Sequence, residues 1–231
     1  MKSLLALIAL LSSVAIPGRA QGVQKEVQEK LAEVKASVAQ NQMALRAYTW
    51  IEHTDISLKG EVKKTKDESC RYGPDGKVQK VAIGTPAPPK QLRGVRKRVV
   101  EKKVGELEDY MDRAAALIKN YVPPSPALME AAFKAGMVSL GQAGPGAIQL
   151  QFRNYVKSGD SLVFSFHSAS KTLRKITVDS YLDNPSDAVK LDVNFQTLPD
   201  ATNYVASTVL NAPAKQVQVV TKSSNFQKLA Q

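Results

Sequence analysis

The sequence predicts an α+β domain: a strongly curved antiparallel sheet covered by an N-terminal helix and a helical insertion. Three observations carry that prediction. Helical periodicity fills residues 23–47 and 95–121, period-two alternation recurs in stretch after stretch beyond residue 147, and Gly73-Pro74-Asp75-Gly76 separates two strand-like runs. A sheet this extensive needs one dry face, and the two helical stretches supply apolar surface to cover it.

Residues 1–20 read as a cleavable secretory leader, with Lys2, an apolar run from Leu4 to Leu11, a small-residue segment, and Gly18-Arg19-Ala20 ahead of Gln21. The apolar run is far short of the ~20 residues a spanning helix needs, so the leader is expected to be removed after Ala20. A soluble periplasmic or secreted protein follows. Gln21 stands where a bacterial lipoprotein carries its acylated cysteine, which argues against a lipid anchor. The remaining 211 residues, 21–231, suit a single α+β domain. Without Lys2 and Arg19 they hold 30 basic against 21 acidic residues, a net charge of +9. In that compartment the charge favours an anionic membrane surface or an acidic envelope protein over nucleic acid. Cys70 is the only cysteine, so no intramolecular disulfide forms and the hydrophobic core must hold the fold. Beside Arg71 in a strand-like run, Cys70 is read as an inert thiol.

The elements follow in order. Val27, Leu31, Val34, Val38 and Leu45 share one face of the first helix, and no glycine or proline interrupts it. At Tyr48 the composition turns to strand: Tyr-Thr-Trp-Ile leads on to Ile56 and Leu58, and a second run reaches Tyr72. The Gly-Pro-Asp-Gly tetrapeptide then turns the chain, and Lys77 to Ile83 returns as the other arm of a hairpin. Three prolines between Gly84 and Pro89 end that unit. The helical insertion, about 91–136, repeats Val100, Val104, Leu107, Met111, Ala114 and Ile118 at spacings of three and four, with Gly105 weakening it. Pro123-Pro124 stops this helix, and Ser125-Pro126 forms the N-cap and N1 pair of a short one ending near Gly136. Gly141 to Gly146 reads as a flexible connection. From Ala147 on, strands are marked by Leu162/Phe164/Phe166, by Ile176/Val178, by Val189 to Phe195, by Tyr204 to Leu210 and by Val217 to Val220.

This order, together with Ala44-Leu-Arg-Ala-Tyr-Thr-Trp50 and Thr172-Leu-Arg-Lys-Ile-Thr-Val-Asp-Ser-Tyr181 followed by Val189 to Phe195, resembles the periplasmic lipoprotein-carrier and lipoprotein-sorting (LolA-like) family over most of the chain beyond residue 20. The resemblance implies a half-barrel whose apolar surface, under helical lids, holds acyl chains or an acylated peptide. The family's cavity-facing arginine is not carried over, because Arg71, the nearest candidate, stands in a different local context. Candidate cavity-lining residues are Trp50, Phe164, Phe166, Tyr181 and Phe195, all on expected strands, although a dry sheet face needs such side chains for its core as well.

Between Lys90 and Lys103 seven basic residues, Lys90, Arg93, Arg96, Lys97, Arg98, Lys102 and Lys103, meet one acid, Glu101. Cations at a helix N-terminus oppose the macrodipole, so local stability does not ask for them. Arg93, Arg96, Lys97, Arg98, Lys102 and Lys103 are therefore candidates for docking to an anionic surface, with a solvated charged face as the ordinary alternative. No catalytic residue is assigned. Ser168-Ala-Ser-Lys171 has the Ser-x-x-Lys spacing but lies between strands and lacks its companion motifs, and His53 and His167 are not in a metal-ligand spacing. No metal or cofactor is expected. The expected function is a soluble periplasmic binding protein, not an enzyme, that holds a lipid or lipidated protein segment for transport or sensing. The alternative is a non-catalytic envelope module that binds an acidic partner or an anionic surface through the basic helical segment.

Overall fold

The computed structural model describes residues 29, 32, 36, 40–84, 95–170 and 172–229, without the side chains of 95–103. The expected leader, most of the expected first helix, the proline junction, Lys90 and Arg93 lie outside the described residues. Positions 29, 32, 36 and 40–45 are helical.

Ten strands form one antiparallel sheet: β1 Tyr48–Leu58, β2 Glu61–Tyr72, β3 Val78–Ile83, β4 Val138–Gln142, β5 Ala147–Arg153, β6 Ser161–His167, β7 Leu173–Tyr181, β8 Ala188–Thr197, β9 Asn203–Ala212 and β10 Val217–Lys228. Two α-helices, α1 Val95–Ile118 and α2 Pro126–Lys134, separate β3 from β4. The strand order is β3-β2-β1-β10-β9-β8-β7-β6-β5-β4. The sheet is not closed: β3 and β4 are its two edges, and the helical insertion joins one edge to the other. Two meanders, β1–β3 and β4–β10, meet at a seam where β1 pairs with β10.

The expected hairpin forms at its expected turn, with Gly73 N–H donating to Lys77 O at 2.8 Å and β2 pairing β3 from Tyr72↔Val78 to Asp67↔Ile83. β4 runs into Gly141 and Gln142, the start of the expected flexible connection. Val138 and Leu140 fall opposite Phe152 and Leu150 of β5, so a short run interrupted by Gly141 is ordered by its neighbour rather than by its own propensity. β10 also runs well past Val220, to Lys228, because its polar second half pairs with β1.

Cross-strand pairing defines two faces. One row of opposed residues runs Phe164, Ile176, Val193, Thr208, Thr221, Thr54, Lys66, and the next runs Leu162, Val178, Leu191, Leu210, Val219, Ile56, Lys64. Both rows are apolar on β6 to β8 and end in a lysine on β2; between them the first passes through Thr208, Thr221 and Thr54, whereas the second stays apolar through Leu210, Val219 and Ile56. The main core sits at the apolar end: Leu150, Phe152, Leu162, Phe164, Ile176, Val178, Leu191 and Val193 are buried together with Tyr121 and with Met129 and Ala132 of α2. A second cluster packs Tyr110 of α1 with Ala212 and Val217, flanked by Leu107, Met111 and Leu58. The three- and four-residue spacing of Leu107, Tyr110, Met111, Ala114, Leu117 and Ile118 puts these side chains on one stripe of α1. Ser125 caps α2 as expected, accepting from Leu128 N–H at 3.4 Å, with Pro126 in the first turn.

Candidate functional site

The site grows from β1. Its alternation places Trp50 and Glu52 on the core face, and β2 sets Cys70 and Glu68 directly opposite them. β3 continues the rows with Lys80 beside Cys70 and Val78 beside Tyr72. On the other side, β10 carries one extra residue between its pairings Ile51↔Ser224 and Thr49↔Gln227. Asn225, at φ 53°, absorbs that bulge. Without the extra residue Phe226 would face outward. With it, the Phe226 ring stacks near Trp50, centroids 5.7 Å apart and planes 9° off parallel.

Tyr72 closes on the other side of Trp50 at 5.6 Å, and Tyr204 of β9 contacts Phe226 at 4.3 Å. These four rings, with Leu45, Val78, Val205, Ser223 and Glu52, enclose a recess of about 180 Å³. Its polar wall is paired. Glu52 Oε1 accepts from Trp50 Nε1 at 3.0 Å, Lys80 Nζ donates to Glu52 Oε2, and Lys66 is 2.5 Å from Glu68. Burial, then the Glu52 charge, pushes the Cys70 thiol up to about 11, which keeps it protonated and poorly nucleophilic at neutral pH. Burial and Glu52 also raise Tyr72, against the opposing charge of Arg46. The arrangement offers aromatic faces and two neutralised ion pairs, a surface suited to binding an apolar group.

The sequence-derived candidates separate. Trp50 lines the recess, and Phe195 packs on the main core opposite Val205, another lining residue. Phe164 and Phe166 are core side chains, 3% and 7% exposed, with Phe152 edge-on to Phe164 at 5.9 Å. Tyr181 faces the other way, because Ile176, Val178 and Ser180 take the core-face positions of β7. Its hydroxyl donates to Ser158 O, and Lys157 Nζ sits 4.2 Å from its ring centroid. Phe226, Tyr204 and Tyr72 were not among the candidates; the one local signal, an aromatic at Tyr72 ending a strand-like run, is weak. Arg96, Lys97, Arg98, Lys102 and Lys103 fall on α1, but their side chains are outside the described residues, as is Lys171.

On the outer face, His53 lies between two carboxylates, Nδ1 2.7 Å from Asp67 Oδ1 and Nε2 3.3 Å from Asp55 Oδ1. Among the described residues no group of His, Cys, Asp and Glu is placed to hold a metal ion, and no helix is long and apolar enough to cross a membrane.

No family model and no curated protein matches the sequence. Among solved structures, a DUF1329 family protein from Desulfovibrio piger matches with a TM-score of 0.43 at 12% identity, covering 85% of this chain and 92% of that one.

Proposed function

We propose that this chain is a periplasmic or secreted binding protein that holds a lipid or lipidated protein segment by its apolar part, for transport or sensing, without covalent chemistry. The reading takes the sheet as a half-barrel and residues 1–20 as an export leader. The aromatic recess beside the seam is the observation that supports it most: four rings gathered around about 180 Å³. Apolar cavities of about 150 Å³ hold benzene, so this recess accommodates a ring or about six carbons of a chain. Apolar burial at ~25 cal/mol per Å² supplies the affinity, and no specialised polar group is required.

Trp50 is the only tryptophan, so its fluorescence reports on the recess alone. Titration with a fatty acid carrying a nitroxide near its methyl end is expected to quench that fluorescence to a saturating plateau. Unlabelled fatty acid should reverse it by competition. Quenching that stays linear and cannot be competed away overturns the reading.

A further inference from the structure

Arg46 stands beside the recess, at the β2–β3 turn. It follows Leu45, a lining residue, and lies against the β2–β3 turn, where a Cβ on Gly76 would meet its Nη2 at 2.6 Å. Gly76 thus makes room for the guanidinium. Tyr72, which enters the same turn from β2, lines the recess and lies within range of the Arg46 charge. Arg46 is exposed, and among the described residues no carboxylate is within ion-pair distance of it. The other cations of this wall differ: Lys80 is matched by Glu52 and Lys66 by Glu68. Two carboxylates offset two ammonium groups in the wall, and in the turn the charges of Asp75 and Lys77 offset each other, leaving Arg46 as the net positive charge where an amphiphile's head would emerge.

We propose that the guest is a carboxylate-headed alkyl chain, its methyl end among Trp50, Tyr72 and Phe226 and its head paired with Arg46. This rests on the reading of the recess as an apolar site and adds the chemical class of the guest. A guanidinium offers two parallel N–H donors that match the two oxygens of a carboxylate, which an ammonium cannot do. The recess volume sets the useful chain length. Each methylene is worth about fourfold in affinity while it is being buried, and that gain should flatten beyond about six to eight carbons.

The test is calorimetric titration of the whole protein with octanoate, octanol and octylamine, alongside the Arg46→Gln variant. Arg46 is exposed and its side chain makes no hydrogen bond among the described residues, its backbone N–H alone donating to Met43 O, so the variant is expected to melt like the wild type. Octanoate should bind about tenfold more tightly than octanol, the gain of a charge-assisted hydrogen bond. In Arg46→Gln that gap should close with octanol affinity unchanged. Equal binding of octanoate and octanol, tighter binding of octylamine, or a gap that survives Arg46→Gln overturns the head assignment and leaves the apolar site standing. Failure of all three compounds to bind overturns both. A gap lost only in Lys80→Gln moves the head to the Glu52 pair and also overturns the assignment to Arg46.

Discussion

Asp160, 3% exposed, collects hydrogen bonds from the backbone N–H groups of Tyr155, Val156 and Lys157 and from the hydroxyl of Tyr121. It closes the β5–β6 loop and ties the exit of α1 to the sheet, with Ser180 completing the contact to the Tyr121 hydroxyl at 2.8 Å. Truncating it strands buried donors, so Asp160→Ala should cost about 3 kcal/mol in urea unfolding, and Tyr121→Phe about 1 kcal/mol. A loss below about 0.5 kcal/mol for Asp160→Ala would show that water replaces the carboxylate. Asp200 adds a pH dependence. Hydrogen bonds from Tyr48, then Thr202, hold its carboxyl at about 2, below the ordinary 3.8. A depressed carboxyl stabilises the fold above its unfolded value and loses that contribution as pH falls through the folded one. The melting difference between wild type and Tyr48→Phe is therefore expected to shrink between pH 4 and 2. His53 behaves oppositely: Asp67, with Asp55, raises it above 6.5, so its contribution is complete below that pH and fades as pH rises through the raised value. His53→Gln should flatten the stability profile as pH rises above 6.5, and an unchanged slope there would disprove the role.

At the scale of elements, Gly105 and Gly76 make a contrast. Gly105 sits within α1, and a Cβ there meets nothing within 4 Å. Gly105→Ala should raise stability by about 0.5–1 kcal/mol, read as a higher denaturation midpoint. Gly76 has φ +75° and the Arg46 guanidinium against it, so Gly76→Ala should destabilise by about 1 kcal/mol or more. Most elements were legible for a simple reason. A strand with one dry face writes its burial into alternate positions, as Val189, Leu191 and Val193 do, and the β2–β3 turn spells its geometry in Gly and Pro. β4 and the second half of β10 left no such mark, since Val138 to Gln142 is short and Thr221 to Lys228 is mostly polar; their partners order them. The site was legible only at Trp50. Phe226 reaches it through a bulge, and Tyr204 through its ring contact with Phe226, relations between residues distant in sequence that no local pattern records. Tyr181 was misplaced by one position: a single-residue change of parity exchanges the two faces.

Across the whole molecule, buried apolar packing is uneven. The dense cluster lies on β5 to β8, whereas all six residues of β3 are exposed. Hydrogen exchange should be slowest for amides of β7 and β8 and fastest along β3, and uniform protection would contradict this division. β3, an edge strand among the described residues, carries Lys80, with Lys77 in the turn before it, charges of the kind that discourage a second chain from adding to it. The seam has a consequence for how the chain is made. β1 is synthesised about 160 residues before β10, the strand that flanks it and delivers Phe226, so the β1–β3 meander emerges with one long side unsatisfied. Nascent chain of this topology cannot complete its sheet on the ribosome until residue 228 is out, and the ring cluster around Trp50 is among the last features to assemble. The β5–β8 core, by contrast, is complete in the chain before β10 is made, so the two ends of the sheet differ in when they can close.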